Sequence, residues 1–328
     1  MRKLIAMLLA LVLMLSLCSL IACSKETQDP APEQNQTPGD TKEPDDDSEE
    51  NPSDSPEEQP EEQPEENPEE KPEEKPEEKP EVPKYMTLKI GSFNIANGSY
   101  VSHNLKKIAD DIKELGLDIV GLQEVDRFAT RSQYLDTLKV LAQLTGYEYY
   151  YFSKAINIGG NVDSFGQEGE YGTGILSKYP IVFSETTLLN SASCEQRVLG
   201  HAEIQIFEGV SVHFFNAHLS FENASIRKNQ FKIIDGIVSE YDRVILTGDF
   251  NIENISEFGM LSTLEGASNE DNPLASYWRE ETPPWPTECL DNVMFSAEFD
   301  LLECGVLDDR KHSDHYMVWA EIEFATGK

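Results

Sequence analysis

Seven polar residues stand where apolar runs of this chain stop: Asn94, Glu124, His218, Asp249, Asn251, Asp314 and His315. Asn94 closes LKIGSFN, Glu124 follows DIVGLQ, His218 closes HFFNAH, and Asp249 and Asn251 follow VILTG. Asp314 and His315 stand just before the last apolar run, Met317 to Phe324. The set holds three carboxylates, two amides and two imidazoles. Hard oxygen donors suit magnesium or manganese, and imidazole suits proton transfer near neutral pH. Asp249 and Asn251 are two apart, so on a strand they would point the same way.

Such residues act together only if the chain brings them to one edge. Residues 85–328, 244 in all, are enough for a sizeable single core. Short apolar runs recur along them as strand candidates, including Gly174 to Ser177 and Asn292 to Phe295. Between these lie helical periods: Leu105, Ile108, Ile112 and Leu115, then Leu135, Leu138, Leu141 and Leu144, then Arg227 to Val238. Strands and helices mixed in this way predict an α+β fold of two packed sheets flanked by helices. Functional groups are then expected on loops along one sheet edge.

The first quarter of the chain is of another kind. Residues 1–23 form a signal segment, with Arg2 and Lys3 ahead of an apolar run that ends LIAC. A Cys after a small residue resembles a bacterial lipobox. Lipid on Cys23 would hold the protein at the extracytoplasmic face of the cell envelope without a spanning helix. Residues 24–84 carry a PEEQ/PEEK repeat with almost no apolar side chain, and are expected to be disordered. Extended at ~3.1 Å per residue, this spacer would reach on the order of 190 Å.

The formal charge of −35 divides into −16 for residues 1–84 and −19 for the remainder. No Lys/Arg cluster offsets it, which argues against tight, salt-sensitive binding to duplex nucleic acid. Cys194, Cys289 and Cys304 contain no CxxC pair, so a cysteine zinc site is not expected. A single disulfide and buried free thiols both remain open.

Eight motifs, FNIANG, LQEVDR, YGTGILSKYPI, CEQRVLGHAEI, NAHLS, TGDFN, LDNVMFS and SDHYMV, occur in this order. Together they resemble the endonuclease/exonuclease/phosphatase superfamily, the group of DNase I, over roughly Lys89 to Phe324. The resemblance implies a four-layered α/β/β/α sandwich, DNase I-like, with its site at one edge. It also implies a metal-dependent hydrolase of phosphoester bonds, using Mg2+ or Mn2+. Glu124 resembles the principal metal ligand, with Asn94 as its neighbour in the metal and phosphate site and Asp314 at a second metal position. Asp249 resembles the group that orients or deprotonates the attacking water. Asn251 resembles the amide that holds the phosphate or that water. His315 resembles the histidine that contacts the phosphoryl oxygens or moves a proton, with Asp291 orienting it. His218 stands where the family places a phosphate-contacting group, and Arg197, in an E-x-R element, would reach the phosphate or pair with Glu195.

Other residues are read more plainly. Tyr171 and the aromatic run from Tyr147 to Phe152 are expected to pack, Asp126 and Arg127 stay open between site and solvent, and His103, His201, His213 and His312 are read as surface or core residues. The expected substrate is a phosphoester on a lipid headgroup, a nucleotide or nucleic acid, and the protein is expected to be a monomer. A DNase-like endonuclease is the alternative within this class. A catalytically silent ligand-binding module on a spacer is the alternative outside it, and the intact Glu124, Asp249 and His315 favour the enzyme.

Overall fold

The computed structural model describes residues 82–162, 166–278, 288–307 and 312–327. The lipobox with Cys23, and the spacer through residue 81, lie outside the described residues. Among the described residues no helix is long and apolar enough to cross a membrane.

Two parallel strand pairs organise the chain. β1 (Tyr85–Asn94) lies parallel to β2 (Ile119–Arg127), and β7 (Val210–His218) lies parallel to β8 (Val244–Asp249). Parallel neighbours need a crossover rather than a hairpin. Helix α1 (Lys106–Leu115) supplies the first crossover and α3 (Ala224–Val238) the second. Gly116, at φ +65°, ends α1 in a left-handed conformation that costs glycine nothing. Asn223 caps α3, its side-chain oxygen accepting from the backbone N–H groups of Ser225 and Ile226. A further helix, α2 (Thr137–Thr145), is capped by Asp136.

The other strands extend these pairs into two six-stranded sheets. They are β3 (Tyr149–Val162), β4 (Glu168–Ser177), β5 (Ile181–Leu189), β6 (Arg197–Phe207), β9 (Leu264–Gly266), β10 (Asp291–Ser296), β11 (Phe299–Leu307) and β12 (Met317–Ala325). One sheet runs β11-β12-β1-β2-β4-β3 and the other β5-β6-β7-β8-β10-β9. One buried cluster fills the space between the sheets, including Leu88, Ile90, Ile119, Phe214, Ile245 and Ile322. A second packs α1 and α2 against the first sheet through Ile108, Ile112, Leu138 and Leu141, and a third packs α3 against the other through Phe231, Ile234 and Val238. This is the expected four-layered sandwich, helices outside two facing sheets. Cys194, Cys289 and Cys304 are free thiols.

Near the site the apolar filling between the sheets gives way to amides and hydroxyls. Gln123 donates through Nε2 to Asn216 Oδ1 at 2.7 Å and to Ser92 Oγ at 3.2 Å. Asn216 donates to the carbonyls of Leu122 and Gly174, and its Oδ1 also accepts from Thr247 at 3.2 Å. All four of these polar residues are fully buried. Buried polar groups are tolerated when bonded, and a bonded network fixes how two layers face each other. Gly121 lets the sheets approach here, because a Cβ on it would overlap Thr247 Oγ1 and come within 2.7 Å of Asn216 Oδ1. Gly121→Ala is therefore expected to lower stability by about 2–3 kcal/mol, through overpacking and loss of these bonds. Urea unfolding monitored by fluorescence checks this, and a midpoint equal to that of the wild type would overturn it.

Candidate active site

Strand register delivers the site. His218, Asp249 and Asp291 lie in one row across β7, β8 and β10, since His218 pairs in register with Asp249 and Asp249 with Asp291. In the facing sheet, Asn94 at the end of β1 sits beside Gln123. The β2–β4 pairing slips between Leu122 and Val125, and Glu124 in this irregularity has φ +55°. A bulge of this kind re-aims a side chain, and a non-glycine residue at positive φ is held there only by its surroundings. Both features turn Glu124 toward the facing sheet.

The two sheets meet at Asn94. Its Nδ2 donates to Glu124 Oε1 at 3.1 Å and to Asp249 Oδ2 at 2.9 Å. The N–H of Ala96 donates to Asn94 Oδ1, which fixes which end of the amide faces the carboxylates. Asp249 Oδ1 accepts from the N–H of Asn251. His315 Nδ1 stands 2.7 Å from Asp291 Oδ2, and its Nε2 stands 3.6 Å from Asp249 Oδ2. Ser276 donates its hydroxyl to the same Asp291 oxygen at 2.6 Å. Asp291 as acceptor places a proton on His315 Nδ1, the tautomer expected for a His–Asp pair.

His218 plays a different electrical part. Its Nδ1 lies 3.0 Å from Arg197 Nη1 and its Nε2 lies 3.4 Å from Asp249 Oδ2. Arginine only donates, so His218 Nδ1 accepts and Nε2 carries the hydrogen toward Asp249. Burial, the Arg197 charge and His315 hold His218 well below the usual histidine range, so this imidazole is neutral.

The acids are shifted in the opposite sense. Burial pushes Asp249 up to about 7; His315 opposes that shift, Asp291 adds to it, and the Asn94 bond opposes it. Burial also raises Glu124, against the Asn94 bond and the field of His315, with Asp314 adding to the rise. For His315 burial works against the charged form. The charges of Asp291 and Asp249, the bond to Asp291 and the charge of Asp314 overcome it and lift the imidazole to about 10. His315 is thus an imidazolium at neutral pH, embedded among carboxylates.

This donor set fits a hard divalent cation. Glu124 and Asp249 are both pushed toward their neutral forms in a site that also holds Asp291 and Asp314. A divalent cation held by Glu124 and Asp314 would relieve that strain, with Asn94, whose Nδ2 faces the carboxylates, positioning Glu124. Ligand atoms of Asp249, Asp291 and His315 also lie within 4.8 Å of one another, a separation a metal would accept. His315 Nδ1 is already committed to Asp291 at 2.7 Å, which leaves its Nε2 on the side of Asp249.

The expected residues thus come together, by routes that differ in places. Asn251 does not follow Asp249 along a strand. β8 ends at Asp249, Asn251 takes φ +48°, and its amide donates to the Leu219 carbonyl at 2.9 Å while the residue lines the cleft. Arg197 is buried, and of the two expected roles the structure shows the ion pair. It pairs with Glu195 at 3.0 Å, and its Nε has no partner among the described residues while the side chain lines the cleft. Asp126 is buried against Arg131 by two bonds, and Arg127 pairs with Asp136 and Glu170. Tyr171 is buried and also lines the cleft.

Several contributors escaped the sequence. Ser276 lies in a stretch without motif or period. Ser313 donates to the Asn94 carbonyl at 2.7 Å, and His312 holds Asp111 of α1 at 2.7 Å. These bonds pin the segment that carries Asp314 and His315. Ser313 belongs to SDH and could have been found there, whereas only tertiary structure reveals the partner of His312.

A family profile described as Endonuclease/Exonuclease/phosphatase family matches residues 91–315. No curated protein matches the sequence. Among solved structures, an endonuclease/exonuclease/phosphatase from Beutenbergia cavernae is similar at 20% identity and TM-score 0.60, over 73% of this chain and 72% of that one. A mannosyl-6-phosphatase from Bacteroides thetaiotaomicron is similar at 19% identity and TM-score 0.55, over 72% and 99% of the two chains. TDP2 of D. rerio, complexed with a single-strand DNA product, is similar at 19% identity and TM-score 0.54, over 72% and 98%.

The paired shifts predict a bell-shaped pH profile. Asp249 accepts a proton only when ionised, so kcat/KM should climb as pH rises through about 7. His315 donates only when protonated, so kcat/KM should fall as pH passes about 10. Asp291→Asn removes a charge that raises His315 and should move the upper limb down by at least ~1 unit. An upper limb unmoved in that variant would remove His315 from the titration.

Proposed function

We propose, from the premise that this chain belongs to the endonuclease/exonuclease/phosphatase family, that it is a magnesium-dependent hydrolase of phosphoester bonds held outside the membrane by lipid on Cys23. The observation that carries the chemistry is the Asn94 bridge, which sets Glu124 and Asp249 on one amide in a cleft shared with Arg197, His218 and His315. The tether rests on the apolar run ending LIAC and on the repeat behind it. The named neighbours include a phosphatase and a DNA-binding relative, so fold likeness leaves the ester class open.

Each residue has a part that follows from its surroundings. Asp249, once ionised, takes the proton of a water lying against it, with Asn94 and the Asn251 N–H holding its carboxylate in place. Attack on phosphorus builds negative charge on the non-bridging oxygens, and the Arg197 guanidinium and the His315 imidazolium offset it. The neutral His218, its Nε2 3.4 Å from Asp249 Oδ2, faces the carboxylate without adding charge. His315, protonated and backed by Asp291, can release its proton to the departing oxygen. A divalent cation held by Glu124 and Asp314, with Asn94 positioning Glu124, would act as a Lewis acid on the phosphoryl oxygens.

Hydrolysis of para-nitrophenyl phosphate and of its bis-ester tests this reading. Activity should vanish with a chelator and return with magnesium or manganese, but not with calcium alone. Asp249→Asn should lower kcat by about 10³-fold with the thermal midpoint nearly unchanged. Glu124→Ala should weaken metal binding at least about tenfold and lower activity with it. Chelator-resistant turnover, or full activity in Asp249→Asn, would refute the mechanism.

A further inference from the structure

Phe221 is 64% exposed, with Leu188 the most exposed of the large apolar residues described. It lines the same cleft as Arg197, His218 and Asp249, and no described aromatic residue stacks on it. Its exposure is not that of a loose loop. The N–H of Leu219 donates to the Asp249 carbonyl at 2.9 Å, and the N–H of Ser220 donates to Gln230 Oε1 at 2.9 Å. Asn223, two residues on, caps α3. The backbone on both sides of Phe221 is therefore fixed, and the ring is held open to solvent three residues from His218.

The rest of the cleft is two-sided. Phe221, Ile252, Pro273, Tyr277 and Leu290 give it an apolar and aromatic part, while Glu195, Glu253 and Glu288 line it with carboxylates. Its Lys/Arg content among the described residues is Arg131 and Arg197. Arg131 is tied to Asp126 through two bonds and Arg197 pairs with Glu195 at 3.0 Å, but the buried Nε of Arg197 keeps a donor without a partner among the described residues, which makes it the cation best placed for an anion. A volume of about 870 Å³ suits a small organic molecule.

We infer that this cleft takes the phosphate monoester of a monosaccharide, with Phe221 stacking on the apolar face of the sugar ring. The inference rests on the phosphoester-hydrolase reading for its phosphate end. Arg197 and the metal site receive the single phosphate. The C–H face of a pyranose lies against an aromatic ring, and its hydroxyls donate to the lining carboxylates, which are strong acceptors. The same carboxylates repel a second phosphate, so bisphosphates and nucleic acid strands are disfavoured.

The test uses the full chain with magnesium. Rates on mannose 6-phosphate and glucose 6-phosphate are compared with those on glycerol phosphate, fructose 1,6-bisphosphate and an oligonucleotide, and mannose 6-phosphate binding is followed by calorimetry. The hexose monophosphates should have the highest kcat/KM. Phe221→Ala should reduce the preference for mannose 6-phosphate over glycerol phosphate about tenfold, chiefly through KM, and Phe221→Trp should restore it. Equal preference in wild type and Phe221→Ala, or better turnover of the bisphosphate or oligonucleotide, would overturn the sugar assignment while leaving the hydrolase standing. Binding of mannose 6-phosphate that depends on Phe221 but leads to no turnover of any phosphoester would support the ligand class and sink the hydrolase. Neither binding nor turnover of the hexose phosphates would overturn the inference.

Discussion

The site depends on one amide standing between two carboxylates that belong to different sheets. Asn94 ends β1, Asp249 ends β8, and the single Nδ2 of Asn94 reaches both Asp249 and the Glu124 of the neighbouring strand. Asp249 is buried and Glu124 half-buried, and loss of water drives each toward its neutral form, with Asp291 adding to the rise of Asp249 and Asp314 to that of Glu124. The amide supplies hydrogen-bond donors without adding charge, so it holds the acids at one point while leaving them able to respond to a cation. The Ala96 N–H that fixes the amide's orientation is as much a part of this arrangement as the carboxylates.

Such a contact requires the two sheets to face each other in one register only. The buried network of Ser92, Gln123, Asn216 and Thr247 supplies that registration directly beneath the site. Apolar packing alone tolerates small sliding, whereas a bonded set of amides and hydroxyls loses partners when it moves. Gly121 permits the close approach that the network needs. The bulge in β2 performs the complementary task, since regular pairing would leave Glu124 on the strand's ordinary alternation.

Charge is distributed with the same economy. His218 and His315 are both buried in one cleft, yet one is held neutral and the other charged. The difference is the neighbour: a guanidinium beside His218, a carboxylate beside His315. One chemical type thereby fills two roles, a neutral imidazole and a proton-bearing cation. The carboxylates lining the cleft agree with the acidic balance of residues 85–328, where the sequence had already disfavoured a polyanionic partner.

The order of motifs, the polar ends of apolar runs and the helical periods were legible without coordinates, because strand ends and amphipathic faces leave local patterns. They pointed to the sandwich and its helices, and named most of the polar residues that the fold gathers around one cleft. The bulged backbone at Glu124 was not legible, since nothing local to LQEVDR demands a positive φ. The turn that brings Asn251 in was also hidden; strand alternation predicted its direction from an element that stops at Asp249. Ser276 behind Asp291 and His312 on Asp111 lay beyond reach for the same reason, because their partners are distant in sequence. The opposite protonation of two histidines is wholly a tertiary outcome. A residue's type sets what it can donate or accept, but its pKa is set by which charges the fold places beside it and how much water it removes.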